Sequence, residues 1–255
     1  RAGGMATIIT APPLPGPESA GGLPDAVAIV NPHRLLPTGP ESAHRGEPQP
    51  PLSGAGVAFK LAQAACSLAQ VPAPEDAMAL AALGTIADSA PLLGDNRIIV
   101  RFGLEALGKT RHAGLRALLH HSRAQGADGK PDTALVSFQL APRLNSAGRL
   151  GDAGPSLRLL TTSDTGEADA LASRLDALNT ERRRLSEVAW EEASRQLQGV
   201  DAGAPVIVVR CDSVPPGLLG PLAGRLCELH RRPAIAIGAL RGPQAAAADP
   251  VVRAS

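Results

Sequence analysis

The chain has 255 residues, of which 44% are hydrophobic and 19% charged, so it is long enough for one large or two modest domains with an apolar core. The formal net charge of +1 excludes a general electrostatic attraction to nucleic acid and confines any such attraction to a local patch. Three Phe, one Trp and no Tyr leave almost no side chains on which bases could stack.

The cysteines and the apolar runs indicate in which cellular compartment the protein is expected. Cys66, Cys211 and Cys227 are scattered and odd in number, which favours buried free thiols in a reducing compartment over disulfides or a zinc site. No apolar run reaches the ~18 residues of a membrane span, and the N-terminus lacks the plan of a signal peptide. We expect a soluble, cytoplasmic protein with no membrane partner.

Short apolar runs alternate with loops in the first part of the chain. Residues 5–10 (MATIIT) and 26–30 (AVAIV) predict two buried strands. Residues 11–22 and 37–51 are rich in Pro and Gly or polar residues, which predicts loops.

Helices are predicted next, at residues 54–68, 74–87, 96–107 and 112–125. Ser53 caps the first, and its Gly54-x-Gly56 start indicates either close packing, which we favour, or an anion at the helix end. Asp88, at the end of the second helix, is by itself most simply a turn residue. The adjacent His120 and His121 point about 100° apart on a helix, so we expect one solvated and one partly buried ring.

The segment 141–150 (APRLNSAGRL) concentrates polar groups. Pro142 fixes the backbone entering a turn, and Gly148 permits a conformation or a close approach that a Cβ would block. Two interpretations are open: a reader of phosphate backbones, or a loop in which the arginines pair with acids and the asparagine caps a turn. The donors are Arg143, Asn145 and Arg149.

A long helix follows. Asp164-x-x-Glu167 resembles a capping box, and apolar residues then recur at steps of three, four and seven. These features predict one amphipathic helix over 166–198, closed by Gly199.

The arginine triplet 182–184 lies within this helix. We expect it on a solvated face paired with Glu181 and Glu187, with contact to DNA as the alternative.

The last part predicts a βαβ unit with parallel strands. Its strands are predicted at 205–209 (PVIVV) and 233–237 (PAIAI), and its helix at 217–229.

Five blocks together resemble the RecJ family, single-strand-specific 5′→3′ DNA exonucleases among the DHH phosphoesterases. The segment 141–150 is similar to a signature of that family, Pro-Arg-Leu-Asn-x-Ala-Gly-Arg-Leu. Four other blocks occur in the family's order and at about its spacing: 23–32 (LPDAVAIVNP), 52–61 (LSGAGVAFKL), 82–88 (ALGTIAD) through Asn96-Arg97, and 175–182 (LDALNTER).

The resemblance implies an α/β fold that comprises the C-terminal part of a DHH domain with a parallel sheet and helices, a long connecting helix, and the start of a DHHA1 domain. The domains would be 1–163, 164–199 and 200–255. Ser255 falls about where the family's Gly-Ser-x-Arg-Ser phosphate-binding segment begins, which makes it a candidate phosphate contact. We expect the chain to be truncated at both ends.

The sequence departs from the family at its metal motifs. Where the family has Asp-His-His, this chain has Ala11-Pro12-Pro13, whose side chains offer no donor to a cation. Where it has Trp-His-Pro-Gly, this chain has Val214-Pro215-Pro216-Gly217. Of the ligands that hold the family's Mn²⁺ or Mg²⁺, Asp88 remains, so metal binding is in doubt.

The resemblance therefore implies a RecJ-like exonuclease of DNA repair and recombination with impaired catalysis. The alternative is a pseudo-nuclease that binds single-stranded nucleic acid, or a replication or repair protein, without cutting. In either case the nucleic-acid contacts implied are Arg143, Asn145 and Arg149.

Overall fold

A computed structural model of the chain describes residues 8–10, 28–30, 52–122, 129–198, 204–239 and 251–254. The chain divides into two compact units, which we call the N-terminal and C-terminal units. The N-terminal unit comprises Arg1–Arg116 and Arg123–Ala141, and the C-terminal unit comprises Ala117–Ser122 and Pro142–Ser255. The predicted boundaries at 163 and 199 concern family domains, and this division does not test them.

The N-terminal unit begins with two parallel strands, β1 (Ile8–Thr10) and β2 (Ala28–Val30), as predicted. Three helices follow, α1 (Gly54–Ala69), α2 (Ala77–Ala87) and α3 (Gly94–Leu107), which confirm the predicted helices to within three residues at each end.

The helices α2 and α3 pack closely because a glycine lies where they meet. A Cβ on Gly103 would overlap the side chain of Ala82 and the carbonyl group of Met78. The core beside this contact contains Phe59, Ala81 and Ile99.

A hydroxyl pair ties α1 to α2. The Ser53 hydroxyl accepts from the Gly56 N–H at 3.0 Å and lies 2.8 Å from Thr85 Oγ1, which itself donates to the Ala81 carbonyl at 2.7 Å. Because Thr85 donates its proton to Ala81, the Ser53 hydroxyl donates to Thr85. The Gly56 N–H is thus occupied by the cap, which favours the packing interpretation of the Gly54-x-Gly56 start.

Helix α4 (Ala113–Ser122) confirms the start of the predicted helix 112–125, whose last three residues lie outside the described ones.

The segment from residue 133 to residue 150 is helical, so the predicted turn was wrong. It consists of α5 (Thr133–Leu135), a π-helical turn (Val136–Leu140) and α6 (Ala141–Leu150). Proline has no N–H to donate and its ring crowds the preceding turn, which the wider π-helical turn accommodates. Gly148 was also misjudged, because a Cβ there would meet only the Ala153 Cβ, at an ordinary 3.5 Å.

Two further helices belong to the C-terminal unit, α7 (Gly154–Leu159) and α8 (Thr165–Leu197), and α8 confirms the predicted helix 166–198 to within one residue. Asp164 caps α8, since its Oδ1 accepts from the Glu167 N–H at 2.7 Å. The reciprocal half of the capping box is not formed, because the Glu167 carboxylate binds Arg158 and Thr162 instead. Gly199 lies outside the described residues.

The predicted βαβ unit is confirmed. Strand β3 (Ile207–Arg210) pairs in parallel with β4 (Ala234–Gly238), and a 3₁₀ turn (Pro216–Leu218) and α9 (Leu219–His230) lie between them in sequence. A strand that was not predicted, β5 (Val251–Ala254), pairs antiparallel with β4 on the side opposite β3.

The core of the C-terminal unit lies between α8, α9 and the sheet, and includes Ala193, Val209, Leu222 and Ala236. The α/β fold is therefore confirmed. No helix among the described residues is long and apolar enough to cross a membrane.

All three cysteines are free thiols, as expected, but only Cys211 is buried; Cys66 and Cys227 are half-buried.

Candidate nucleic-acid interface

A surface pocket in the C-terminal unit brings together two arginines and two neutral polar side chains. It is formed by one face of α6, the middle of α8 and the region where α9 begins. Its lining residues are Pro142, Asn145, Arg149, Arg182, Ser186, Leu218 and Pro221.

Helical periodicity separates the polar side chains of α6 into two groups. Pro142, Asn145 and Arg149 are spaced three and four residues apart, which places them on the face that lines the pocket. Arg143 and Ser146 project from another part of the helix and are buried. The helix therefore places Arg143 in the interior and Arg149 at the pocket.

Arg149 is held against the chain that precedes α9. Its Nη1 donates to the carbonyl oxygen of Gly217 at 3.3 Å. Gly217 is the last residue of the segment 214–217, whose position resembles that of the Trp-His-Pro-Gly motif. Its carbonyl oxygen thus contacts the last arginine of the segment 141–150.

Arg182 is the most constrained cation of the pocket. Its Nη2 donates to Asn179 Oδ1 at 2.7 Å, whereas its Nε is buried and has no hydrogen-bond partner among the described residues. Burial, and then the positive charges of Arg183 and Arg149, lower the pKa of the Arg182 guanidinium. A buried N–H without an acceptor costs free energy, so the burial of this guanidinium is only partly compensated by its hydrogen bond to Asn179.

No carboxylate forms an ion pair with Arg149 or Arg182 within the part of the chain that the structure describes. The two guanidinium groups therefore create a local excess of positive charge in a chain whose net charge is only +1. Such a site is suited to an anion with several acceptor oxygens.

Arg143 pairs with an acid, which is the second of the two interpretations of the segment 141–150. It is 8% exposed, and its Nε and Nη2 both lie 2.9 Å from Asp176 Oδ1. Of the three predicted nucleic-acid contacts, Asn145 is exposed, Arg149 is half-buried at the pocket, and Arg143 is engaged with an acid.

The prediction that the arginine triplet 182–184 lies on a solvated face and pairs with Glu181 and Glu187 is only partly confirmed. Arg184 pairs with Glu181 at 2.7 Å, but Glu187 pairs with Arg225 instead of the triplet. Arg182 turns into the pocket, so sequence reasoning missed it and also Ser186, four residues further along the same face. The signal that could have found Arg182 was its place in the family-like block 175–182.

Asp88, the expected metal ligand, is the exposed C-cap residue of α2. Among the described residues, no cluster of three or more His, Cys, Asp or Glu side chains includes it. Ala11, Pro12 and Pro13 have no side-chain donor atoms and lie outside the described residues, as does Ser255. Among the described residues, no group of donor side chains around Asp88 fits a centre of two Mn²⁺ or Mg²⁺ ions.

Comparison with known proteins identifies the relatives. No family profile matches the sequence. The single-stranded-DNA-specific exonuclease RecJ of Bacillus subtilis is 40% identical over 238 residues, which cover 92% of this chain and 28% of that protein. RecJ of Thermus thermophilus is 40% identical over 190 residues, 74% of this chain and 27% of that protein. RecJ of Escherichia coli is 32% identical over 264 residues, 95% of this chain and 43% of that protein.

Solved structures that resemble this chain are also RecJ exonucleases. The crystal structure of RecJ in complex with Mn²⁺ from Thermus thermophilus matches with a TM-score of 0.76 at 34% identity, over 92% of this chain and 33% of that one. The crystal structure of exonuclease RecJ bound to manganese matches with a TM-score of 0.73 at 35% identity, over 91% of this chain and 55% of that one. These matches are with exonucleases, in sequence and in fold.

The chain belongs to the RecJ family. It spans less than a third of the length of the Bacillus and Thermus relatives.

Proposed function

We propose that this chain binds single-stranded DNA by its phosphate backbone, as the strand-holding part of a RecJ-type exonuclease. The observation that carries the proposal is the pair of guanidinium groups, Arg149 and Arg182, that line one pocket without an ion-pair partner among the described residues, on a chain of the RecJ family. A backbone phosphate supplies the negative charge that balances them.

The polar residues of the pocket have complementary tasks in this proposal. Arg182 and Arg149 bind the charged oxygens, and charge-assisted hydrogen bonds of this kind are about twice as strong as neutral ones. Asn145 and Ser186 add neutral donors that fix the position of the group. No aromatic side chain lines the pocket, so binding depends on the backbone and is independent of base sequence.

We further propose that this chain does not cut the strand with its own residues. The support is the donor set, because Ala11-Pro12-Pro13 and Pro215 replace residues that the family uses for catalysis, and one carboxylate cannot hold two ions. Since the chain belongs to the RecJ family, we also propose that it takes part in DNA repair and recombination.

Binding is tested by fluorescence anisotropy of a labelled, 5′-phosphorylated oligo-dT strand. Arg149→Ala and Arg182→Met should each weaken binding about tenfold or more, since a hydrogen bond to a charged group contributes about 1.5–3 kcal/mol. Arg174→Ala is the matched control, because Arg174 is an exposed arginine of α8 that does not line the pocket. The slope of log K against log salt should fall by about 0.7 for each lost phosphate contact. Equal affinity for all four proteins would contradict the proposal.

Cleavage is tested separately, with the same strand and Mn²⁺. We expect no degradation by the wild-type chain at concentrations where binding is saturated. Degradation that disappears in Asp88→Ala would show that other residues complete a metal centre, and would overturn the second proposal while leaving the first intact.

A further inference from the structure

A second group of polar side chains lies in the C-terminal unit, outside the pocket that contains Arg149 and Arg182, which we call the phosphate pocket. His120 and His121 occupy the last turn of α4, and Asp169 lies near the start of α8. One donor atom from each of the three lies within 4.8 Å of the other two, and His121 Nε2 is 2.8 Å from Asp169 Oδ1. The sequence predicted the divergence of the two histidines but gave no sign of Asp169, which is 48 residues further along the chain.

The two imidazole rings lie close together, edge to face. Their centroids are 5.5 Å apart and their planes meet at 87°, so the edge of one ring faces the other. His120 is exposed and the Asp169 side chain is 63% exposed, whereas the His121 side chain is 22% exposed. The site therefore has one ordered ligand and two that can rotate toward an ion.

The electrostatics of the position favour a cation. The last turn of a helix carries the negative end of the helix dipole and its unsatisfied carbonyl groups. The Asp169 carboxylate adds a full negative charge at the same place. Neutral imidazole nitrogen next to carboxylate oxygen is a donor set suited to zinc, copper or nickel.

We propose that His120, His121 and Asp169 form a binding site for one divalent transition-metal ion of the Zn²⁺ class. In a tetrahedral zinc site, bonds of about 2.0–2.1 Å place the ligand atoms about 3.4 Å apart. Rotation of the exposed His120 and Asp169 side chains closes the difference from the observed 4.8 Å. Three protein ligands leave a position for water. This site shares no residue with the phosphate pocket or with Asp88.

The test is calorimetric titration of the chelator-stripped full chain with ZnCl₂. One equivalent should bind to the wild-type chain. His120→Asn, His121→Asn and Asp169→Asn should each lower the affinity for zinc about tenfold or more, because losing even a residue that only hydrogen-bonds to a metal ligand lowers metal affinity about tenfold. His230→Asn is the control, because His230 is an exposed histidine in the last turn of another helix, α9, and should bind zinc like the wild type.

Cu²⁺ loading gives a second readout, because the electron paramagnetic resonance spectrum counts coordinated nitrogens. Two nitrogens are expected in the wild-type chain and one in His120→Asn. Circular dichroism of each variant checks that it is folded. Absence of a stoichiometric zinc equivalent, or zinc affinity that is unchanged in His120→Asn, would overturn the proposal and leave His121–Asp169 as an ordinary hydrogen bond. Binding of DNA should be unaffected by all three changes, which separates this proposal from the previous one.

Discussion

Gly217 and Arg149 pack backbone against backbone. A Cβ on Gly217 would lie 2.8 Å from the Cα of Arg149 and 2.9 Å from its carbonyl carbon, distances that real Cβ atoms do not adopt. The Arg149 side chain also donates to the Gly217 carbonyl at 3.3 Å. The absence of a side chain at residue 217 therefore sets the position of a pocket arginine.

Gly217→Ala should destabilise the chain by about 1–3 kcal/mol, because the added methyl group forces the two backbone segments apart. It should also weaken DNA binding, since Arg149 moves with its backbone. Gly220→Ala is the control: nothing lies within 4 Å of its Cβ, and alanine inside a helix gains about 0.5–1 kcal/mol over glycine. Urea unfolding midpoints measure both changes, and equal midpoints for the two variants would refute the close approach.

Asp176→Asn should destabilise the chain by about 1–3 kcal/mol, because it removes a charged acceptor from Arg143, a guanidinium that is only 8% exposed. Glu181→Gln breaks the exposed pair with Arg184 and should change the unfolding midpoint little. DNA binding by Asp176→Asn, measured on folded protein, should keep its salt dependence. A steeper slope would indicate that Arg143, released from Asp176, contacts phosphate.

Cys211 should resist thiol reagents until the chain unfolds. Burial, and then the negative charges of Glu192 and Asp212, raise the pKa of its thiol to about 11 from 9.0. At pH 8 a thiol-reactive disulfide reagent should therefore modify the half-buried Cys66 and Cys227 first and Cys211 only after urea is added. Three thiols that react at one rate in the folded chain would contradict the burial.

The same shift has a consequence for stability. Because the folded pKa of the Cys211 thiol is raised, its contribution is complete below pH 9 and is lost as the pH rises through about 11. Unfolding midpoints of the wild type should thus fall more steeply over this range than those of Cys211→Ala. Parallel curves would show that Cys211 does not contribute.

Ser53→Ala should cost about 1–2 kcal/mol, since it removes both the cap of α1 and the hydrogen bond to Thr85. Ser67→Ala is the control, because Ser67 is an exposed serine near the other end of the same helix. Thermal unfolding followed by circular dichroism distinguishes them. A midpoint unchanged in Ser53→Ala would mean that the cap is replaced by another group.

Local sequence patterns predicted most helices and strands correctly. The predictions failed where contacts between residues distant in sequence decide the structure. The spacing of apolar residues and the Asp164 cap fixed α8 to within one residue, because both act over a single turn. The segment 141–150 was misjudged because Pro142 and Gly148 are typical of turns in isolation, whereas packing within the fold keeps them helical.

The lining of the pocket was foreseen in part. Asn145 and Arg149 were singled out by their motif, and both line the pocket, while their contact with nucleic acid stays a prediction. Arg182 and Asp169 owe their surroundings to residues far away in sequence, so no local pattern reveals that one lacks an acceptor and the other lies beside His121.

In the proposed complex with single-stranded DNA, the lining of the pocket has a consequence for movement along the strand. Its side chains include two guanidinium groups, an amide and a hydroxyl, but no aromatic ring. In that complex every nucleotide would make the same contacts, because the sugar-phosphate unit repeats and no side chain of the lining stacks on a base. An advance by one nucleotide would then exchange one phosphate for its identical neighbour, so the bound states before and after the step would be equal in free energy.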